Sequence, residues 1–325
     1  MNMFRTLTAV LACTFALACL QAVQAAGCDM NQRYTLLVHG GFAKQRGKVR
    51  PDQLDLIREV VTRGRAQLAD GAASLDVVVD AIVAMENSGL LDAGKGSYFN
   101  TAGFTENDAS LMDGATGRSG AVAAMQRLKN PIRAARLVMD KTPHVFFAGT
   151  TGEATVIDLG AEVVPDPHSY FREYVAPAGG AGEPESEHGT VGAVALDRCG
   201  HLAAGTSTGG THGKMPGRVG DSPIIGASTF ADEHYALSAT GIGEYFIKRS
   251  ATRDIAMRAE YLNTPLQQAA DYVIRTLIGE ADKADGAIIA ISAEGEIVLS
   301  SNGYGVLHGF ASDTTPVTVG DEVKY

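Results

Sequence analysis

Two adjacent residues, Gly189 and Thr190, could together generate a catalytic nucleophile. They lie where a polar segment rich in glycine, proline and glutamate (residues 176–188) meets an apolar run that begins at Val191. If the chain is cut between them, Thr190 becomes an N-terminal residue with both a hydroxyl nucleophile and an α-amine base. A free α-amine has a pKa of about 7.7–8.0, so part of it can accept a proton near pH 7. Without a cut, Thr190 is an ordinary residue at the start of a strand.

A short loop downstream could recognise an amino-acid head group. Arg218 and Asp221 lie three positions apart among glycine and proline residues, in the segment PGRVGDSP. Arginine can bind a carboxylate through two parallel hydrogen bonds, and aspartate can accept hydrogen bonds from an ammonium group. The pair could therefore hold one zwitterion. The alternative is a salt bridge in solvent.

The segment TGIGE at residues 240–244 could stabilise a negative charge. The hydroxyl of Thr240 and the backbone N–H of Gly241 are suitable donors for an oxyanion hole. Gly243 permits a close approach of the backbone. Thr240 also suits the N-cap position of a helix, and the two interpretations are compatible because a helix N-terminus favours anions.

Long motifs connect these groups, and with them the chain resembles the plant-type asparaginase/isoaspartyl peptidase family of N-terminal-nucleophile hydrolases. The resemblance covers nearly all of the chain after its first residues. The motifs are HGG (39–41), DASLMDG (108–114), NPIRAARLVM (130–139), PHV (143–145), GTVGAVALD (189–197), TSTGG (206–210), PGRVGDSP (216–223) and TGIGE (240–244).

The resemblance implies an α+β fold, a four-layer αββα sandwich, and cleavage between Gly189 and Thr190 into an α chain (26–189) and a β chain (190–325). Thr208 is then expected beside the nucleophile, which it orients. The loop with Arg218, Val219, Gly220 and Asp221, together with Gly243, is expected to bind substrate. The implied activity is hydrolysis of β-aspartyl dipeptides and of L-asparagine to release L-aspartate. The implied assembly is a homodimer of αβ units.

The chain departs from the family pattern at three places. Asp92 stands where the family usually has asparagine near the active site, and a carboxylate there would raise the pKa of the Thr190 amine. The alternative is that Asp92 faces solvent or is neutralised by a neighbour such as Lys95. Residues 85–95 align with a loop whose carbonyls hold sodium in relatives, so a structural sodium ion is expected there, while the chemistry requires no cofactor. Residues 211–213 also differ, which leaves substrate preference open.

Two other functions are considered beside this one. A glycosylasparaginase-like amidohydrolase belongs to the same enzyme class, but that relative typically has aspartate before its nucleophile, where this chain has Gly189. A non-catalytic periplasmic amino-acid-binding protein would use Arg218 and Asp221 only to hold its ligand, and its chain would stay intact.

The first 25 residues predict a secretory signal peptide, and hence a periplasmic or secreted protein. Arg5 precedes an apolar run from Leu7 to Leu20, and Val23-Gln24-Ala25 is a small-residue cleavage site. The run is short for a membrane-spanning helix, which needs about 20 residues. The net charge of −10 and the lack of a basic cluster argue against nucleic-acid binding.

The remaining cysteines, Cys28 and Cys199, could pair in an oxidising compartment or stay as buried thiols. A further alternative is lipid attachment at Cys28. The sequence contains no CxxC and its histidines are scattered, so a zinc site is not expected.

The hydrophobic periodicity predicts paired helices and runs of strands. Strands are expected at 34–38, 108–113, 121–125, 144–148, 191–196, 202–206, 235–239, 287–291 and 297–299, and helices at 51–69, 75–86, from 130, at 242–260 and from a capping box at 264. Residues 150–189 lack periodicity and are interpreted as a linker.

Two further patterns are rejected as sites. Gly89 to Lys95 fits the spacing of a phosphate-binding loop, but glycine follows where serine or threonine is required. The carboxylates of Glu106, Asp108 and Asp113 are interpreted as structural.

Overall fold

The protein is described by a computed structural model that covers residues 28–30, 32–43, 49–172 and 189–323. The predicted signal peptide, residues 1–25, and most of the polar segment before Gly189 lie outside the described residues. Among the described helices, none combines the length and the apolar character needed to cross a membrane.

The strands within the described residues form two sheets, one of eight strands in the order β12-β11-β1-β5-β6-β2-β3-β4 and one of four in the order β10-β9-β8-β7. Their bounds are β1 Thr35–Ala43, β2 Asn107–Asp113, β3 Ser119–Met125, β4 Phe146–Ala148, β5 Val191–Leu196, β6 Leu202–Thr208, β7 Thr229–Ala231, β8 Tyr235–Gly241, β9 Gly286–Ser292, β10 Ile297–Ser301, β11 Gly305–Ser312 and β12 Thr318–Gly320.

The helices fall into two groups, one from each half of the chain. The N-terminal group is α1 Pro51–Ala69, α2 Ser74–Ser88, α3 Pro131–Lys141, α4 Gly149–Asp158 and the single turn α5 Pro167–Tyr170. The C-terminal group is α6 Gly243–Arg249, α7 Ala251–Tyr261 and α8 Leu266–Asp271, which continues as a π-helix over Tyr272–Ala281.

Three apolar cores separate four layers. Helices α1 to α3 bury their apolar faces against the large sheet through residues such as Ile57, Ile82 and Ile132. A second core, which includes Val194 and Ile289, lies between the two sheets, and a third lies between the small sheet and the C-terminal helices. Because each sheet has an apolar face on both sides, each needs a helix layer as well as its partner sheet. The expected αββα sandwich is confirmed.

Strand β5 lies at the centre of the large sheet and carries Thr190 at its N-terminal end. It runs antiparallel to β1 on one side and to β6 on the other, and each of its residues is buried. The register with β6 pairs Val191 with Ser207. The next step along that register brings Thr190 opposite Thr208, the last residue of β6.

The interpretation of residues 150–189 as one long linker is wrong in its first half. Helix α4 spans Gly149–Asp158, and α5 follows at Pro167–Tyr170. Helix α4 buries only Gly152, Glu153 and Val156, so its sequence carries a weak apolar stripe that periodicity does not reveal.

Three predictions about the C-terminal half also need correction. The helix expected over 242–260 is two helices, because Ser250 adopts a left-handed conformation (φ 48°) between them. The capping box at Thr264 does not form, since the helix starts at Leu266 with Pro265 at the N-cap and no side-chain cap. Thr240 is not a helix N-cap, because it lies within β8 and Ile242 precedes the helix.

Cys28 and Cys199 form a disulfide, so the thiol of Cys28 is not available for lipid attachment. The bond ties the N-terminal segment to the turn between β5 and β6. That turn also brings Asp197 and His201 close to Cys199, although the sequence predicted no such cluster. The sulfur is committed to the disulfide, and the Asp197 carboxylate accepts backbone hydrogen bonds from Ser74, Cys199 and His201. The cluster therefore organises a turn.

Candidate active site

The hydroxyls of Thr190 and Thr208 meet at the end of the central strands. Thr190 donates a hydrogen bond of 3.1 Å to Thr208 Oγ1, and both residues are buried. The N–H of Gly210 donates a second bond of 2.9 Å to the same oxygen. Thr208 is thus fixed by its own loop and lies in hydrogen-bond contact with the Thr190 hydroxyl, the placement that the family resemblance implies.

Gly189 packs closely against the backbone near Gly41 and against one hydroxyl group. A Cβ on Gly189 would lie 2.9 Å from Gly41 Cα and 3.2 Å from Thr240 Oγ1. Gly41, in turn, adopts a φ of +115°, and a Cβ there would lie 2.6 Å from Gly189 Cα. The HGG motif therefore provides a glycine whose missing side chain makes room for the proposed cleavage site.

Thr240 and Gly241 approach the site from the second sheet. Thr240 is buried at the C-terminal end of β8, and its hydroxyl faces Gly189. Gly241 has a φ of +149°, and a Cβ there would lie 2.5 Å from the carbonyl oxygen of Asp285. Only glycine fits at this position, so the strand can end close to Thr190 with a backbone N–H and a hydroxyl as donors.

Arg218 is held by a residue that the sequence analysis did not assign to the site. Its Nε and Nη2 each donate a hydrogen bond of 2.9 Å to the carboxylate of Glu244, and these bonds keep the pKa of Glu244 below its ordinary value. A guanidinium has five N–H donors, so donors remain for a substrate carboxylate. A Cβ on Gly220 would lie 2.9 Å from Arg218 Nη1, so the glycine packs closely against the guanidinium. Val219, between these two residues in the sequence, is half-buried.

Asp221 presents a buried carboxylate oxygen that has no hydrogen-bond partner among the described residues. Burial raises the pKa of Asp221 to about 6, and the charge of Arg218 opposes this rise. A Cβ on Gly243 would lie 2.6 Å from Asp221 Oδ1, so the glycine is required beside the carboxylate. A buried acceptor without a partner is unfavourable by itself, and a substrate ammonium would satisfy it.

Asp92 is buried beside Gly209, the residue after Thr208. A Cβ on Gly209 would lie 2.3 Å from Asp92 Oδ1, and Gly209 N donates a 2.9 Å bond to the Asp92 carbonyl. Burial raises the pKa of Asp92 to about 7, opposed first by the charge of Lys214 and then by Arg172 and Arg218. Asp92 therefore does not face solvent, and the neighbouring cation whose charge acts most strongly on it is Lys214 rather than Lys95.

Lys214 is a buried cation that the sequence analysis missed, although it lies beside the divergent residues 211–213. Its ammonium donates to the carbonyl of Glu106, and burial lowers its pKa against the charges of Asp108, Glu106 and Asp92. The carboxylate of Asp108 accepts hydrogen bonds from the backbone of Ala124 and Gly220, and that of Glu106 accepts from Gly217. Glu106 and Asp108 thus support the loop that carries Arg218, which agrees with the structural interpretation of these two acids.

A chain of buried hydroxyls runs between the two sheets under the site. His39 Nε2 lies 3.0 Å from Ser238 Oγ, which lies 2.7 Å from Thr206 Oγ1. Thr229 donates to Thr206 at 2.6 Å, and Ser110 donates to Thr229 at 2.8 Å. Burial lowers the pKa of His39 to about 3, although a hydrogen bond with the backbone of Thr190 opposes this. Neutral polar groups therefore fix the spacing of the sheets beneath Thr190.

The backbone carbonyls of residues 85–95 are the expected ligands of a structural sodium ion. Neutral oxygen ligands suit a hard cation. The carbonyls of Met85, Leu90 and Leu91 already accept hydrogen bonds from protein donors. Protein contacts thus hold at least part of this loop.

The chain is similar to known proteins over most of its length, including the residues of this site. The sequence profile of the family described as "Asparaginase" matches residues 32–177 and 170–320. An isoaspartyl peptidase of Salmonella typhimurium is 38% identical over 301 residues, which cover 86% of this chain and 96% of that protein. A probable isoaspartyl peptidase/L-asparaginase 2 of Arabidopsis thaliana is 35% identical over 316 residues, with 86% and 96% covered. The human isoaspartyl peptidase/L-asparaginase is 38% identical over 278 residues, with 81% and 88% covered.

Proposed function

Because this chain belongs to the asparaginase family of hydrolases, we propose that it hydrolyses β-aspartyl dipeptides and L-asparagine, with Thr190 as the nucleophile. The observation that carries the proposal is the 3.1 Å hydrogen bond between the hydroxyls of Thr190 and Thr208, beside Gly189 and Thr240. The relatives' printed names support the substrate class.

The first step is self-cleavage. The hydroxyl oxygen of Thr190 attacks the carbonyl carbon of Gly189, the C–N bond breaks, and the acyl group passes from nitrogen to oxygen. Water then hydrolyses the ester. The products are a chain that ends at Gly189 and a chain that begins with the free α-amine of Thr190.

The same hydroxyl then attacks the side-chain carbonyl of the substrate, and the α-amine of Thr190 takes its proton. The hydroxyl of Thr240 and the N–H of Gly241 donate to the oxyanion. The protonated leaving amine departs, and water attacks the acyl-enzyme to release L-aspartate. Meanwhile Arg218 binds the α-carboxylate of the aspartyl group, and the unpartnered oxygen of Asp221 accepts from its ammonium.

The test combines mass spectrometry with a product assay. Purified protein is expected to contain a fragment that begins at Thr190 and to release L-aspartate from both substrates. The Thr190→Ala variant is expected to stay intact and inactive. A wild-type protein that is active while intact would exclude the mechanism. A wild-type protein that binds aspartate but neither cleaves itself nor hydrolyses substrate would identify the amino-acid-binding alternative.

Glycosylasparaginase activity is the alternative within the same class. Gly189 before the nucleophile argues against it, since that relative typically has aspartate there. Assay of an N-glycosylated asparagine beside β-aspartyl-leucine separates the two, and preference for the glycosylated substrate would overturn the proposal.

Export to the periplasm or the medium is a further part of the proposal. The charged and apolar pattern of residues 1–25 supports it, and so does the Cys28–Cys199 disulfide, because such bonds persist in oxidising compartments. Recovery of full-length protein from the cytosol of the native host would refute export.

Two assembly features complete the proposal. The αβ units are proposed to form a homodimer, which light scattering on the eluted protein tests. A structural sodium ion is proposed for segment 85–95, and dialysis into sodium-free buffer is expected to lower the melting temperature. An unchanged melting temperature would argue against the ion.

A further inference from the structure

At the rim of the site, the ring of Tyr98 contacts one cationic side chain, Arg172, and one aromatic ring, His212. The guanidinium carbon of Arg172 lies 5.4 Å from the centroid of the Tyr98 ring, and Arg172 Nη1 donates a 3.1 Å hydrogen bond to the Tyr98 hydroxyl. The ring of His212 meets the same tyrosine edge-on, with centroids 4.6 Å apart. All three side chains are half-buried, so they form a wall that solvent and small molecules reach.

The backbone fixes this arginine in place. Arg172 N donates to the carbonyl of Ser97 at 2.9 Å, and Phe99 N donates to the carbonyl of Arg172 at 2.8 Å. These bonds hold Arg172 alongside Tyr98 in a short parallel bridge. The backbone bonds fix where the side chain begins, and the hydrogen bond from Nη1 to the Tyr98 hydroxyl restrains its guanidinium end. Both restraints lower the entropy that binding costs.

Asp92 connects the wall formed by Tyr98, Arg172 and His212 to the proposed nucleophile. The backbone N–H of Tyr98 is a hydrogen-bond donor to the Asp92 carboxyl, which contacts Gly209 next to Thr208. The charges of Arg172 and Arg218 both act on that carboxyl. Both arginines thus lie close enough to this one buried group for their charges to act on it.

The guanidinium of Arg172 also has N–H donors available to bind a ligand. Within the described part of the chain, no carboxylate forms an ion pair with it, whereas Arg218 is engaged with Glu244. A guanidinium with one N–H on a tyrosine oxygen has four N–H donors left, enough for a two-pronged contact with a carboxylate.

A β-aspartyl dipeptide has two carboxylates that need recognition. One belongs to the aspartyl group and is assigned to Arg218. The other belongs to the residue that leaves after cleavage. We propose that Arg172, held on Tyr98, binds the α-carboxylate of the leaving residue. This subsite rests on the proposed function, because only a dipeptide substrate has such a residue, and it favours dipeptides over L-asparagine.

The test compares three substrates that differ only in the leaving group: β-aspartyl-leucine, its leucinamide counterpart without the carboxylate, and L-asparagine. Arg172→Ala is expected to lower kcat/KM for β-aspartyl-leucine by about 10- to 100-fold, since a charge-assisted contact is lost. The other two substrates are expected to change less than about twofold. Tyr98→Phe, which removes the hydroxyl that holds Arg172, is expected to give a smaller loss with the same selectivity.

Three controls separate the outcomes. Arg58→Ala removes an exposed arginine whose ion-pair partner among the described residues is Asp55, and it is expected to leave all three rates unchanged. Both fragments must be present in each variant, and Arg172→Lys serves if Arg172→Ala does not mature. Equal losses on all three substrates, or no loss on the dipeptide, would overturn the subsite. If the wild-type protein hydrolyses none of them, the proposed function itself fails.

Discussion

The guanidinium of Arg218 and the carboxylate of Glu244 are joined by two hydrogen bonds of 2.9 Å, although they lie on different elements. Arg218 belongs to the loop after β6, and Glu244 belongs to the first turn of α6. The helix that follows the proposed oxyanion donors therefore also orients the arginine proposed to bind substrate. The proposed substrate recognition and the proposed charge stabilisation are therefore mechanically linked at this point.

Arg218→Ala is expected to raise KM for β-aspartyl dipeptides by about 10- to 100-fold, because a charge-assisted contact of about 1.5–3 kcal/mol is lost. Glu244→Gln keeps the shape but weakens the ion pair, so a smaller rise is expected. Steady-state kinetics measure both. An unchanged KM in Arg218→Ala would remove the arginine from the binding site.

Maturation can be followed on gels because the disulfide joins the two expected products. After the proposed cleavage, Cys28 would lie in the α chain and Cys199, its disulfide partner, in the β chain. The mature protein is therefore expected to run as one band without reductant and as two bands with it. Thr190→Ala is expected to run as one band in both conditions. Two bands without reductant would contradict the disulfide link.

Asp92→Asn is expected to move the acid limb of kcat/KM to lower pH. Burial raises the pKa of Asp92 to about 7, so this carboxyl is largely ionised at the pH where an α-amine titrates. The anion favours the ammonium form of the Thr190 amine and so raises its pKa. Profiles of kcat/KM against pH measure the shift. Coincident acid limbs would show that Asp92 has no electrostatic role at the nucleophile.

Asp221→Asn is expected to stabilise the fold while it impairs binding. The folded-state pKa of Asp221 is raised to about 6, above the ordinary value of 3.8. The folded protein then binds more protons than the unfolded chain between these values, so this group lowers stability as pH rises from about 4 to 6. Above pH 6 the variant is expected to gain about 1–3 kcal/mol in unfolding free energy.

Chemical denaturation at pH 4 and pH 7 measures this effect, with the wild-type protein as reference. The gain is expected at pH 7 and should vanish near pH 4, where the carboxyl is protonated in both states. An equal gain at both values would mean that its cause is not the ionisation of Asp221. KM for the dipeptide is expected to rise in the same variant.

Thr206→Val is expected to lower the unfolding free energy by about 1–3 kcal/mol, because it leaves the buried hydroxyls of Ser238 and Thr229 without their shared partner. Thr62→Val, on the exposed face of α1, is the matched control and is expected to change stability by less than about 0.5 kcal/mol. Denaturant titration measures both. Equal effects would show that the hydroxyl chain between the sheets adds no stability.

Local patterns in the sequence already determined many of the helices and strands and the proposed nucleophile, while the four-layer order was implied by the family resemblance. Apolar periodicity is a property of neighbouring residues, so helices α1, α2 and α3 and strands β5 and β6 are predictable from it. The motifs around Thr190, Thr208, Arg218 and Thr240 are contiguous, and they predicted the groups that the fold brings together. Helix α4 was not predicted from the sequence, because its buried face is too small to produce a clear hydrophobic period.

Only the tertiary structure decided which remote residues meet. Glu244 beside Arg218, Asp92 beside Gly209 and the disulfide between Cys28 and Cys199 are contacts between elements far apart in the chain. Such contacts depend on strand order and on the stacking of the two sheets, which no local spacing encodes. Burial acts in the same way, since the environment that raises the pKa of Asp92 exists only once the layers have closed around it.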